Sequence, residues 1–353
     1  MKFDPRAPLP QVTAGLPGIG GKIKTQIEDF EVEEIPAYPA SGTGAHLFLW
    51  IEKRDMGAEF FLRQVARRLN ISPADVGAAG LKDRRAITRQ MISVPDTCSD
   101  HLAVLEGDGI RVLKAERHEN KLRPGHLHGN RFRILIRDVA ADAATQIGPL
   151  LEVIRSRGMA NFYGEQRFGR DGATLQTGLE LLAGNCRRRV SPFVRKLALS
   201  AVQSALFNHA LAERLRDGLF RKVLEGDVMS KWPVGGMFVA REVNREQERF
   251  DAREIVHTGA IFGKKTFAAE GVAAAREEAL LAEAGFDRAA FSRFGKLLQG
   301  TRRHNLVYVD DLLAVVEPEG IRISFSLPAG SYATVLIGEV TKAVFVDSDA
   351  DAS

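Results

Sequence analysis

In the run Gly77-Ala-Ala-Gly80-Leu81-Lys82-Asp83-Arg84-Arg85-Ala86-Ile87-Thr88-Arg89-Gln90, a carboxylate follows two glycines and stands among four cations. Nearby positive charge favours the ionised form of Asp83. An ionised carboxylate in a confined site can act as a nucleophile, and the same cations would hold RNA phosphates beside it. A surface turn closed by a local ion pair uses the same residues, and their types alone leave both readings open. A second run, Asn161-Phe162-Tyr163-Gly164-Glu165-Gln166-Arg167-Phe168-Gly169, packs three aromatics, an arginine and two glycines into nine residues. Base-stacking surfaces combine aromatics with Arg in this way; so does a packed turn that fills a core between domains.

Other chemistries find little footing. Gly15-Leu-Pro-Gly18-Ile-Gly20-Gly21 is glycine-rich, but its spacing is wrong for a dinucleotide loop and no strand signal precedes it. Gly259 to Lys265 is one residue short of a phosphate loop and carries Lys265 where Ser or Thr must bind magnesium. His126 and His128 could share one side of a strand, but sequence brings no third metal ligand near them. No GxSxG elbow occurs, and neither Cys98 nor Cys186 carries a nucleophile signature or a CxxC spacing.

The composition, 45% hydrophobic and 27% charged over 353 residues, is that of a globular protein able to bury a sizeable core, with length for about two domains. The N-terminus lacks the apolar stretch of a signal peptide and no window is apolar enough to span a membrane, so the expected location is the cytoplasm, with no membrane association. Net charge is only +4, but the basic residues cluster: Lys82/Arg84/Arg85/Arg89, Lys121/Arg123, Arg187/Arg188/Arg189, Lys264/Lys265 and Arg302/Arg303. Any one cluster could be solvated charge; together they suit a phosphate-binding surface.

The elements that must position these residues follow from periodicity. Ile23/Thr25/Ile27, Phe30/Val32, Leu47 to Ile51, Thr88 to Val94 and Phe132 to Ile136 predict strands, and residues 57–69 predict a helix. Ser72-Pro73-Ala74-Asp75 reads as a helix start. Residues 194–216 carry the clearest helical stripe, through Leu199, Val202, Leu206 and Ala210, and 271–299 hold two helical stretches parted near Gly285. Strand signals return at Leu306 to Leu312 and Ile321 to Phe325, and the terminal DSDADAS reads as disordered. The order α/β, then helical, then β predicts an α+β fold. A discontinuous sheet domain (1–157 and 306–353) would be interrupted by a mainly helical insertion (158–305).

The run GLKDRRAITRQ at 80–90 resembles the signature of TruD-type pseudouridine synthases, Gly-x-Lys-Asp-x-x-Ala-x-Thr-x-Gln. KIKTQIEDFEVEE (22–34), KLRPGHLHGNRFRILIR (121–137), NFYGEQRFG (161–169), SALFNHALAERL (204–215) and FSLPAGSYAT (325–334) are similar to further motifs of that family, in the same order. The resemblance implies a catalytic sheet domain of the pseudouridine synthase type, broken by the family's own insertion domain, with RNA received in the cleft between them. It implies Asp83 as nucleophile and Lys24 paired with it. Asn130 and Phe132 would contact the target nucleotide, and Phe30 and Phe325 would help enclose the uracil. Lys82, Arg84, Arg85 and Arg167 would bind RNA, Lys82 facing either the site or a phosphate. The implied reaction is isomerisation of uridine to pseudouridine in tRNA, expected at position 13 of the D arm. It would need no cofactor, no metal and no obligate protein partner, and the uridine would be extruded into the pocket. A non-catalytic RNA-binding relative would have no chemical use for both Asp83 and Lys24. An RNA methyltransferase would need a cofactor loop better placed than Gly15 to Gly21, and a purely structural protein leaves the ordered motifs unexplained.

Overall fold

The computed structural model describes residues 3–5 and 7–343; the terminal DSDADAS lies outside the described residues. The elements of the first part are β1 (Gly20–Lys22), β2 (Phe30–Pro36), β3 (His46–Arg54), α1 (Ala58–Arg68), β4 (Gly77–Ala78), β5 (Ile87–Pro95), β6 (Ile110–His118), β7 (Leu127–Val139) and α2 (Ala143–Arg157). The middle holds β8 (Met159–Ala160), α3 (Ala173–Ala183), α4 (Pro192–Arg216), β9 (Val228–Lys231), β10 (Met237–Val239), α5 (Val243–Asp251), β11 (Ile255–Ile261), α6 (Gly271–Glu283), α7 (Arg288–Ser292) and β12 (Thr301–His304). The chain closes with β13 (Leu306–Val307), β14 (Leu313–Glu317), β15 (Gly320–Pro328) and α8 (Ala333–Thr341).

A nine-stranded sheet dominates, in the order β14-β15-β7-β2-β5-β3-β6, with β1 added to β7 and β4 to β5. Strands β2 and β5 run parallel, and β7 pairs antiparallel with β2 on one side and β15 on the other. One face of β7 and β15 carries Phe132, Ile134, Ile136, Ile321, Ile323 and Phe325, and these are buried against α2 and α8. Around β3 and β5 the covering helix is α1, whose Phe61, Val65 and Ala66 meet Leu49, Ile51, Ile92 and Val94. The unbroken apolar run Leu47 to Ile51 is the middle of β3, and Leu47, Phe48 and Leu49 are all buried, as a strand covered on both faces requires.

The chain leaves this sheet after α2 and returns at β14, and where it crosses, β8 pairs antiparallel with β13. Between them, a smaller sheet (β10-β9-β11-β12) packs with α4, α5 and α6. The predicted helix over 194–216 is α4. Ser191 caps its N-terminus and Pro192 opens its first turn, and its stripe (Leu199, Val202, Leu206, Phe207, Leu211) is buried. The fold is thus α+β, as the element order predicts.

Local structure departs from periodicity in one place and adds to it in others. The alternation at Ile23/Thr25/Ile27 does not make a strand. Lys24 adopts a left-handed backbone conformation (φ +56°) and Ile27–Asp29 forms a 3-10 turn. Asp29 draws the chain in: its carboxylate accepts from the Gln26 N–H at 2.7 Å and pairs with Arg137 at 2.7 Å. The helix start read at Ser72 to Asp75 is there, with Ser72 accepting from the Ala74 N–H and Pro73 in the first turn, but it makes only a single 3-10 turn. Residues 333–341, for which periodicity predicts no element, form α8, whose Leu336, Ile337 and Val340 are buried against the sheet. Glu339 of α8 then accepts the backbone N–H groups of Val12 and Thr13 at 2.9 and 3.0 Å, tying the N-terminal segment down.

Candidate active site

Asp83 lies in the loop between β4 and β5. The two glycines before it answer different needs. A Cβ on Gly77 would stand 2.4 Å from the Leu122 carbonyl oxygen, so β4 can approach that segment only with glycine there. Gly80 meets nothing closer than 3.5 Å, and its neighbour there is the Lys82 ammonium. The loop is fixed from beneath by Lys53. This fully buried lysine donates to the Asp83 carbonyl oxygen at 2.8 Å and to the Met56 carbonyl. A lysine continuing the core face of β3 after Leu49 and Ile51 was the one sequence signal for this role, and the motif reading missed it.

With its backbone held, the Asp83 carboxylate meets the Lys24 ammonium at 3.0 Å. The pair is shielded but reachable, with side-chain exposures of 26% for Asp83 and 11% for Lys24. The same ammonium lies 4.6 Å from the centre of the Phe30 ring. Above the pair opens a cleft of about 230 Å³. Phe30 and Val32 from β2, Asn130 and Phe132 from β7, and Leu81 and Lys82 beside Asp83 form one side; Gln166 and Gly330 to Thr334 form the other. Among the described lining residues Asp83 is the only carboxylate. Strand register assembles the apolar wall: Val32 stands opposite Phe132, and Glu34 opposite Asn130. The Oδ1 atom of Asn130 is buried with no hydrogen-bond partner among the described residues, an acceptor that a bound donor could satisfy.

The sequence-predicted residues separate into distinct surroundings. Asp83, Lys24, Phe30, Asn130 and Phe132 converge on the cleft. Phe325 does not line it: it is 1% exposed and stacks beneath Phe132, with ring centres 5.3 Å apart and planes 25° apart. Lys82 touches the cleft wall, but its ammonium turns inward to Glu34 at 2.6 Å, both side chains almost sealed from solvent. That buried pair occupies the Lys82 ammonium. Arg84 and Arg85 are exposed, and Arg85 donates to the Thr25 carbonyl at 3.0 Å, bracing the Lys24 turn. Arg89, the fourth cation of the motif, joins Glu31 and Glu52 across the sheet. Arg167 donates to Ser204 and Ser200 of α4 and lies over the Tyr163 ring. His126 is hydrogen-bonded to the Tyr38 hydroxyl.

Sequence reasoning missed Gln166, Ser331 and Tyr332, which close the cleft opposite Asp83. The motifs NFYGEQRFG and FSLPAGSYAT contain them, but only the fold shows which of their residues face inward. Burial pushes the Tyr332 phenol above its ordinary value, against the pull of Arg167 and Arg303. A second cavity, about 250 Å³ between α4, β11 and α6, shares no residue with the cleft.

The family model for tRNA pseudouridine synthase D (TruD) matches residues 10–198 and 187–340. A tRNA pseudouridine synthase D of Anaeromyxobacter sp. (strain Fw109-5) is 43% identical over 341 residues, covering 95% of this chain and 96% of the relative. One from Thermus thermophilus is 40% identical over 339 residues, covering 96% and 93%. The crystal structure of a putative TruD from Methanosarcina mazei has the same fold, with a TM-score of 0.78 over 94% of this chain and 95% of that one at 23% identity. With near-complete coverage at this identity, the chain belongs to the tRNA pseudouridine synthase D (TruD) family and is an isomerase of the pseudouridine synthase class.

Proposed function

We propose that the protein isomerises uridine to pseudouridine in tRNA, at position 13 of the D arm, with Asp83 as nucleophile and no cofactor. The observation that carries the proposal is the 3.0 Å Lys24–Asp83 pair in a cleft whose wall is formed by Phe30 and Phe132. The ammonium holds the carboxylate in place from 3.0 Å, and the rings offer an extruded base a stacking surface that offsets part of the unstacking cost.

The reaction breaks the C1′–N1 bond, turns the uracil and joins C1′ to C5. The C5 proton departs and N1 gains one, so atoms balance and nothing is oxidised or reduced. Asp83 supplies the negative charge against which electron deficiency at the sugar can develop. Asn130, with an unpaired acceptor, suits the uracil N3–H. We take residues 158–305 as an insertion domain whose Gln166 closes the cleft over the base, and Arg84, Arg85 and Arg167 as contacts to the RNA backbone.

The test is pseudouridine mapping on unmodified tRNA transcripts incubated with the pure protein and no added cofactor. One new pseudouridine at position 13 is the expected product, and it should vanish with Asp83→Ala while tRNA binding persists. Tight tRNA binding without any pseudouridine would overturn the proposal.

A further inference from the structure

The shielded arginines of this protein mostly face carboxylates. Arg214 pairs with Asp227 at 2.6 Å, Arg302 with Glu277 at 2.5 Å and Arg137 with Asp29 at 2.7 Å. Arg303 and Arg167 are different: neither has a carboxylate partner among the described residues. Arg303 donates to the Asn161 carbonyl at 3.0 Å and to Asn161 Oδ1 at 2.7 Å, and its guanidinium lies 4.2 Å from the centre of the Tyr163 ring. Arg167 donates only to serine hydroxyls and lies 5.8 Å from the same ring centre. Two cations gathered on one aromatic ring without a counter-ion repel each other. Burial depresses Arg303 below its ordinary value, and the charge of Arg167 adds to that. Such an arrangement is relieved by an anion from outside.

The pair stands directly behind the cleft rim. Asn161 Oδ1, which holds Arg303, also accepts from Ser331 Oγ at 2.9 Å, and Ser331 lines the cleft. Tyr163 meets Tyr332 of the lining edge to face, with centres 5.9 Å apart. Gly330, at φ +84°, lies in front of the guanidinium, and the nearest atom to a Cβ built there would be Arg303 Nη1, 3.5 Å away. Gly330 therefore sets no side chain of its own in front of that nitrogen. A nucleotide extruded into the cleft turns about its own backbone, so the phosphodiester beside it must come to the rim. The planar fork of arginine matches a phosphate in charge and shape.

On the premise that Asp83 acts on a uridine of RNA, we infer that Arg303 and Arg167 form a subsite at the cleft rim for the phosphodiester adjoining the extruded uridine. The centre of the Tyr163 ring lies 4.2 Å from one guanidinium and 5.8 Å from the other, and Asn161 ties Arg303 to the rim through Ser331.

The experiment uses full-length protein and tRNA assembled by ligation so that a single phosphate beside the target uridine is a neutral methylphosphonate. Wild-type kcat/KM should fall roughly tenfold or more at one of the two flanking phosphates, the scale of a charge-assisted hydrogen bond. Arg303→Gln should lose a similar factor on native tRNA, lose nothing further on that methylphosphonate tRNA, and bind with a salt slope smaller by about one. Arg303→Lys should recover the salt slope. A merely structural arginine would lower both substrates equally, so an Arg303→Gln enzyme as sensitive to the neutral phosphate as wild type would overturn the subsite. Wild-type indifference to both methylphosphonates would do the same. Failure of wild type to form pseudouridine on native tRNA would instead overturn the activity on which the inference rests.

Discussion

The Lys24 ammonium lies 3.0 Å from the Asp83 carboxylate and 4.6 Å from the centre of the Phe30 ring, so one cation joins the proposed nucleophile to the aromatic side of the cleft. Its backbone is left-handed, a conformation uncommon for lysine, and Arg85 braces the turn through the Thr25 carbonyl. Lys24→Met should leave the fold intact and lower kcat by about 10²-fold, the effect of removing one charged group from a reacting centre. Single-turnover kinetics on a tRNA transcript would measure it. An unchanged rate would reduce the pair to a structural ion pair.

The Lys82–Glu34 pair is of the opposite kind: sealed from solvent, 2.6 Å long, and supported by the Met91 N–H donating to the other Glu34 oxygen at 3.3 Å. Breaking it from one side strands a buried charge. Lys82→Met should destabilise the protein by about 3–5 kcal/mol, and adding Glu34→Leu should recover most of that. Urea unfolding of both variants checks this; a double variant no more stable than the single would show that the pair's worth lies elsewhere.

What the sequence disclosed follows from how locally each feature is encoded. The α4 helix is announced by its cap, its proline and one apolar stripe, and β3 by an unbroken apolar run, so both stand where periodicity puts them. Lys24 and Asp83 are 59 residues apart, and only the sheet order that sets β2 beside β5 brings them together. Periodicity fails at 23–27 because a carboxylate, Asp29, overrides it by capping a turn and pairing with a distant arginine. At α8 the cover of a hydrophobic sheet outweighs β-branched propensity. Lys82 and Arg89 read as phosphate ligands because sequence shows their charge and hides their partners, Glu34, Glu31 and Glu52.

Phe325 separates support from contact. It stacks under Phe132 and does not line the cleft. Phe325→Ala should therefore cost about 3–5 kcal/mol of stability, as loss of a buried ring does. The milder Phe325→Leu should keep KM for tRNA near that of wild type while Phe132→Leu raises it. Equal rises in KM for the two leucine variants would place Phe325 against the base after all.

Acid should weaken the protein through two histidines whose charge the fold disfavours, one buried and one half-buried. His257 is fully buried. Its Nε2 faces the Phe220 carbonyl at 2.9 Å and its Nδ1 faces Asn305 at 2.8 Å. Burial first, and the charge of Arg214 second, push its pKa down to about 3. Burial and then Arg303 push His304 down to about 4. In the unfolded chain both would take up a proton near pH 6.5. Between that pH and about 4 the unfolded state therefore binds more protons than the folded one, and stability falls as pH falls. Each histidine contributes about 1.4 kcal/mol per pH unit inside its window. Asp227, which burial pushes up but Arg214 holds below the ordinary carboxylate range, adds a further loss once unfolded carboxylates begin to protonate. Urea unfolding between about pH 7 and pH 5 should show this slope, and His257→Gln, which can keep one donor and one acceptor, should remove about half of it. Parallel stability curves for the variant and wild type would mean that His257 does not titrate between the two states.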